Sequence, residues 1–565
     1  MRAREDPASE QGVPTEDAAA LQERLIRAWP AGGAHATVRH VETHISHVLL
    51  VGRYAYKIKK PVNFGFLDFS TLEKRRLCCE EELRLNRRLA PEIYRAVIPV
   101  TGTPDAPVLG GDRGDSRPFE YVVKMRRFAQ SALLDRLLAR KALGVGVIDA
   151  LADRVAVFHA QAPKCAKASD FGSPEVVWSA VSANFRQLRK CLSESGACAS
   201  LDRLEQWSTE RHARLSATFT ARRADMVREC HGDLHLGNIV LIKGQPVIFD
   251  CIEFNPGLRW IDVISEIAFM VMDLEERGRR DYGHRFLNRY LEQTGDYAAL
   301  PLLPYYQVYR ALVRAKVAAL RAGQEAEKNA KHELAVCNQY LAYAERIIQP
   351  VPCSLTLFHG LSGSGKSWAA QILLEATGAI RLRSDVERKR LAGFRIDGKT
   401  RSEVHGGIYT RDATAATYAR LAELARETLG AGYPVLIDAA CLEAWQREMF
   451  RALAEESGVP FAIVHCCAPE DVLRRRLMAR ELSGNDASEA DASVLEAQIA
   501  SQEPLTREEL ACCRSVDTDG CAPSRLLEQL APEAYGDVSG GGGRAGVSPG
   551  GKRMRVRGSG TPRAA

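Results

Sequence analysis

A chain of 565 residues with 46% hydrophobic and 26% charged side chains is several times the usual domain size and can bury large cores. This excludes a short binding peptide or a wholly disordered chain, and it calls for two large domains or three ordinary ones. The formal net charge is +6, but Arg544, Lys552, Arg553, Arg555, Arg557 and Arg563, in a segment from Val538 to Ala565 without acids, supply the whole excess; the body is neutral, and a nucleic-acid partner is disfavoured.

Met1 to Gly12 is acidic and polar, which is not the order of a signal peptide. Residues 1–29 read as a mobile segment and a first helix, with helical spacing from Ala18 to Trp29. His47 to Val51 and Tyr54 to Ile58 read as paired strands around Gly52-Arg53. A helix is expected from about Thr71 to Leu89, stopped by Pro91, and Phe119 to Met125 is a third strand. Helix dominates Ser131 to Asp225. Two strands, Ile239 to Ile242 and Pro246 to Phe249, then flank Lys243-Gly244-Gln245, and helix resumes from Ile261 to about Ile348, with an amphipathic stretch from Tyr305 to Leu320.

The longest apolar run, Ile264 to Met272, is interrupted by Glu266 and is too short to span a bilayer, so no membrane partner is expected. Pro350 to Pro352 mark a domain boundary. Beyond it, strands at Ser354 to Phe358, Ala379 to Arg383, Pro434 to Ile437 and Phe461 to Cys466 alternate with helices, and a last strand is placed near Cys513 to Val516. That is the pattern of a parallel sheet covered by helices. The expected division is a first domain at 30–349, a second at 350–535 and a disordered basic Gly-rich tail at 536–565. The fifteen cysteines include adjacent pairs but no Cys-x-x-Cys, so they read as reduced thiols of a cytoplasmic protein.

Two constellations carry chemistry. In His231-Gly232-Asp233-Leu234-His235-Leu236-Gly237-Asn238, an aspartate precedes an asparagine by five residues. A kinase catalytic loop needs this pair: a carboxylate to orient and deprotonate the acceptor hydroxyl, and an amide oxygen to hold Mg2+. Asp250, at the end of the next strand, is placed to be the second metal ligand. These residues resemble the aminoglycoside phosphotransferase and choline kinase-like group, over about residues 30 to 345. The resemblance implies a two-lobed protein-kinase-like α+β fold acting on small molecules, with Asp233 as base and Asn238 and Asp250 on the metal; His231 and His235 brace the loop. In Tyr54-Ala55-Tyr56-Lys57-Ile58-Lys59-Lys60, alternation puts Lys57 and Lys59 on one face. Lys57 is the expected ATP-phosphate lysine, and Glu81 its helix partner.

The second constellation, Gly360-Leu361-Ser362-Gly363-Ser364-Gly365-Lys366-Ser367, fits G-x-x-x-x-G-K-[ST] after a strand. Its glycines let backbone amides turn toward phosphates, Lys366 reaches the outer phosphoryl oxygens and Ser367 suits Mg2+. Asp385 ends the second strand of this half. From about Ser354 to Ala531 the sequence resembles small P-loop kinases such as gluconate, shikimate and polynucleotide kinases, which makes Asp385 the candidate base or substrate anchor; a helix N-cap is its alternative role. Asp438 closes a later strand as a Walker B-like carboxylate. Arg474, Arg475, Arg476 and Arg480 resemble the arginine-bearing lid of these kinases, with Arg480 at the lid's edge facing ATP.

The expected protein is an α+β kinase-like domain followed by an α/β P-loop NTPase domain, a fusion that resembles bacterial proteins of the same make-up. Its expected activity is transfer of the ATP γ-phosphoryl group to small hydroxylated acceptors in each half. Two alternatives stay open: one half as a nucleotide-responsive regulator of the other, or a P-loop half that acts on a nucleic-acid end.

Overall fold

The computed structural model describes residues 15–530 apart from 31–37, 66, 111–116, 193–197, 324–326, 397, 399–406, 484–487 and 489; the opening segment and the basic tail lie outside the described residues. Among the described residues, no helix is long and apolar enough to cross a membrane.

The first lobe is an antiparallel sheet of β1 (Val38–Glu42), β2 (Ser46–Val51), β3 (Tyr54–Lys59), β4 (Tyr94–Thr103), β5 (Ala106–Leu109) and β6 (Glu120–Arg126), in the order β1-β2-β3-β6-β4-β5. The β2–β3 hairpin turns at Gly52-Arg53 and pairs Val51 with Tyr54. Sequence reading found β2, β3 and β6 but not β1, β4 or β5. Pro99 lies inside β4, where proline argues against a strand; it stays in register with Tyr121 of β6, and its carbonyl accepts from the Gly110 amide just past the end of β5, so its missing N–H falls where that ladder stops. The helix Leu72–Asn86 is capped by Thr71, whose hydroxyl accepts from the Lys74 amide, and it packs on β4 and β6. Its inward side buries Cys79, Glu82 and Asn86, positions three and four apart, as one face of a helix requires.

The second lobe is helical. The helix Pro174–Cys191 starts on a Ser173 cap with proline in its first turn. The pair β7 (Val227–Glu229) and β10 (Trp260–Asp262) encloses the hairpin of β8 (Ile239–Ile242) and β9 (Gln245–Ile248). That hairpin turns on Lys243 (φ 51°) and Gly244 (φ 77°), the two left-handed positions of a tight turn that matches strand twist. Beneath it runs Val263–Glu276, buried on every side from Val263 to Leu274, including Glu266 and Asp273.

The second half is a five-stranded sheet of β11 (Leu355–His359), β12 (Ile380–Arg383), β13 (Val435–Asp438), β14 (Phe461–Cys467) and β15 (Cys513–Asp517). All pairings are parallel, in the order β12-β13-β11-β14-β15. Residues 360–365 join β11 to the helix Lys366–Thr377.

The two halves are packed together. The helix Arg280–Thr294 of the kinase-like half lies against Lys366–Thr377 and β12. Asn288 donates to the Ala379 carbonyl (3.1 Å) and accepts from the Arg381 amide (2.8 Å). Glu292, buried, takes the Arg381 guanidinium at 2.7 and 2.9 Å. One apolar cluster runs from Leu151, Phe286 and Leu291 into Leu355, Ile380 and Ile437.

Candidate active sites: a kinase-like cleft and a P-loop

The first cleft is built on the loop between β7 and β8. His231 is fixed as a neutral imidazole: Nε2 donates to the Phe249 carbonyl at 2.9 Å and Nδ1 accepts from the Asp233 amide at 3.3 Å. Burial lowers its pKa further. The Val263–Glu276 helix holds the loop from below. Glu266 accepts from the Gly232 amide (2.6 Å) and Asp273 from the Leu236 amide (2.9 Å), while Arg310 donates to the Gly232 carbonyl (3.0 Å). Both histidines therefore act as braces, His235 through an Nδ1 that accepts from the Gly237 amide at 3.1 Å.

Asp233 is left with a carboxylate that is 37% exposed. Asn238 Nδ2 donates to its Oδ2 and to its backbone oxygen, both at 3.0 Å, and His235 Nε2 stands 3.4 Å away. Burial pushes the carboxyl upward, but His235, His231 and Arg314 outweigh it and hold the group well below the usual carboxylate range. Asp233 is ionised at neutral pH. Asn238 has committed its nitrogen to Asp233, so its carbonyl oxygen is the end suited to a cation.

Asp250 adopts φ 64°, uncommon for a residue with a side chain; its amide donates to the Tyr94 hydroxyl at 3.2 Å. Lys57 reaches across from the sheet lobe and binds Asp250 Oδ1 and Glu82 Oε1, each at 2.9 Å. Glu82 therefore occupies the position expected of Glu81. Glu81, the partner expected from sequence, instead pairs with the half-exposed Arg84 and the buried Arg259 at 2.7 Å each. Lys59, wholly buried, takes the other Glu82 oxygen at 2.7 Å and pairs with Glu253. Burial raises Glu82, yet the two lysines overcome it and bring its pKa down to about 2. The helical phase of Cys79, Glu82 and Asn86 was the available signal for this choice; Glu253, Glu266, Asp273 and Arg310 had no comparable signature.

At the P-loop, a cavity of about 1320 Å³ opens over Gly363, Gly365, Lys366 and Ser367. Gly360 has φ 137°, and a β-carbon there would stand 2.3 Å from the Cys466 carbonyl oxygen, so only glycine fits between strand and loop. Lys366 donates to the Gly360 and Leu361 carbonyls at 2.8 and 2.9 Å; its burial lowers its pKa against the pull of Asp438. The Ser362 amide donates to Gln498 (2.8 Å), and Ser364, within the loop, is buried.

Ser367 donates to Asp438 Oδ1 at 3.1 Å. The other Asp438 oxygen is buried without a hydrogen-bond partner among the described residues, with Arg383 Nε 3.6 Å away. A serine hydroxyl beside a carboxylate oxygen lacking a donor fits a divalent cation.

Asp385 lines the same cavity. The Ser384–Leu391 helix has Arg383 as its N-cap, with no side-chain cap bond, so Asp385 sits inside the first turn and is not the cap. Among the lid arginines, Arg474 is spent on Glu470 and Glu496 at the surface. Arg476, another of the expected lid arginines, ties the Gly363 carbonyl to Thr518. Arg480 lines the cavity and donates to the Ala490 carbonyl at 2.6 Å. Part of the Glu481 to Asp491 stretch lies outside the described residues.

A kinase-type loop in a two-lobed domain, followed by a P-loop on a parallel sheet, defines a two-domain phosphotransferase that uses ATP. The phosphotransferase enzyme family matches residues 79–303, and an AAA domain matches residues 355–505. The uncharacterized protein Rv2004c of Mycobacterium tuberculosis H37Rv is 32% identical over 450 residues, which span 79% of this chain and 87% of that one. The chain belongs to the family of that mycobacterial protein. Among solved structures, a choline/ethanolamine kinase family protein from Mesorhizobium loti covers 59% of this chain and 99% of its own at 12% identity, with a TM-score of 0.36. A gluconokinase from Sinorhizobium meliloti 1021 covers 34% and 94% at 23% identity, with a TM-score of 0.23.

Proposed function

We propose that each half transfers the γ-phosphoryl group of ATP to a hydroxyl of a small-molecule acceptor, with Mg2+ at both sites. The observation that carries this reading is the arrangement of the first cleft: an ionised, half-exposed Asp233 held by Asn238, facing an Asp250 that Lys57 ties to the opposite lobe. An acceptor hydroxyl placed at Asp233 gives its proton to that carboxylate as its oxygen bonds to the γ-phosphorus. The bond from that phosphorus to the bridging oxygen breaks, and ADP leaves. Lys57 is the phosphate lysine, and Asn238 and Asp250 would hold the metal, which neutralises charge on the phosphates when bound.

In the second half, Lys366 and the loop amides take the phosphates, Ser367 and Asp438 would hold the metal, Arg480 covers the phosphates, and Asp385 is the base. Small acceptors are favoured over a nucleic-acid end because the body of the chain is formally neutral.

The test is ADP release from the intact chain across a panel of hydroxylated metabolites, repeated with Asp233→Ala and with Lys366→Ala. Each substitution is expected to abolish one set of activities and spare the other. If both leave every activity unchanged, the assignment fails; if either abolishes all turnover, a single enzyme gated by a nucleotide-binding half replaces it.

A further inference from the structure

A second cavity of about 680 Å³ lies at the junction of the two halves, beside the P-loop. Arg285, Arg289, Asn288 and Asp149 come from the kinase-like half; Arg381, Arg383, Arg480, Ser367 and Trp368 come from the other. Its volume falls within the range of about 300–1,000 Å³ usual for small-molecule sites. Ser367, Trp368 and Arg480 also line the P-loop cavity, so the two spaces adjoin.

The charge is arranged in layers. Four of the guanidiniums have named acidic neighbours: Arg285 has Asp149 and Glu375, Arg289 has Asp153, Arg381 has Glu292, and Arg383 stands between Glu292 and Asp438. Of those carboxylates only Asp149 lines the cavity, whereas all five arginines do. An interface held by ion pairs alone has no reason to turn one sign toward an open space. Guanidiniums fixed from behind by carboxylates, with donors spread around a cavity, are preorganised for a multidentate oxyanion. Trp368, 37% exposed, offers a flat apolar surface to the rest of such a ligand.

We propose that the junction cavity binds a phosphate-bearing small molecule, clamped between Arg285 and Arg289 of the kinase-like half and Arg383 and Arg480 of the P-loop half. The proposal rests on the nucleotide-binding reading of the P-loop only for the neighbour it gives this ligand. By class, the ligand is an organic phosphate monoester, the kind of compound that a phosphoryl transfer to a hydroxyl produces.

The test is isothermal titration of the full chain with glucose 6-phosphate, inorganic pyrophosphate and glucose, on wild type, Lys366→Ala, Arg289→Gln and Arg289→Lys. Binding of a Mg-bound non-hydrolysable ATP analogue is measured alongside. The expected result is one glucose 6-phosphate site per chain that persists in Lys366→Ala and ignores glucose. Arg289→Gln, at a partly exposed position, should weaken it about tenfold or more with the thermal midpoint retained, and Arg289→Lys should recover part of the loss. Binding of pyrophosphate alone would replace the monoester with an inorganic anion and overturn the ligand assignment. The site itself is refuted by no phosphate binding, by binding that vanishes in Lys366→Ala, or by binding indifferent to Arg289→Gln. Failure of the ATP analogue to bind wild type counts against the P-loop reading alone.

Discussion

Glu82→Gln against Glu81→Gln gives the sharpest contrast between two adjacent residues. Glu82 has no exposed side-chain surface, and its two oxygens hold Lys57 at 2.9 Å and Lys59 at 2.7 Å. Removing one member of a buried ion pair costs about 3–5 kcal/mol, because the remaining charge is stranded. Lys57 keeps Asp250 and Lys59 keeps Glu253, which puts the expected cost near the lower end, about 3 kcal/mol. Glu81 is 27% exposed and pairs with a half-exposed Arg84 as well as Arg259, so its loss should cost about 1 kcal/mol. Urea denaturation reads the stability difference. Nucleotide binding in a Lys366→Ala background reads the positioning of Lys57 at the first cleft alone, and only Glu82→Gln should weaken it. The Glu82 pKa of about 2 also sets a sign: its contribution is complete above about pH 4.5 and is lost as pH falls from there toward 2. An equal or larger loss from Glu81→Gln, in either assay, would refute the reasoning.

Gly360→Ala forces a β-carbon against the Cys466 carbonyl, a backbone atom that cannot swing away; ATP-analogue binding at the P-loop should be lost while Asp233-dependent turnover persists. His359, next to that glycine, has a pKa pushed down to about 4 by burial, with His465, Arg447 and Lys366 adding to it. The unfolded chain takes up that proton below about pH 6.5, so stability should fall between pH 6.5 and 4 by up to about 3 kcal/mol. His359→Leu should flatten that part of the pH–stability curve, and an unaltered slope would count against it. Asp438→Asn should raise the Mg2+ concentration that the P-loop reaction requires by about tenfold or more, read from a metal titration of initial rates; an unchanged requirement removes Asp438 from the metal site.

The parts of the fold legible from sequence were those in which local pattern and tertiary demand agree. β11 and β13 are largely apolar runs that lead into the P-loop and Asp438, and the catalytic loop is a contiguous motif that its neighbours brace without altering. β4 was hidden because Pro99 contradicts strand chemistry, and the pairing that spans most of its length comes from β6, which lies further along the chain. Glu81 and Glu82 are chemically identical neighbours, so motif resemblance could not separate them; the phase of the buried face could. Glu266, Asp273 and Arg310 support the loop across separations of 34, 37 and 78 residues, and nothing in a local window announces a contact of that kind. The junction arginines belong to the same class, since no stretch of either half contains the set.

Asn288 closes an edge that parallel sheets normally leave open. β12 is the outer strand, and the amide side chain of Asn288 meets the Ala379 carbonyl and the Arg381 amide, occupying those ladder positions as a neighbouring strand would. A P-loop half cut away from the kinase-like half would present these groups bare, beside the apolar surface that Phe286 and Leu291 had covered. Such a fragment is a template for strand addition between copies, and its recovery as aggregate would reflect this lost plug rather than any defect in the nucleotide site.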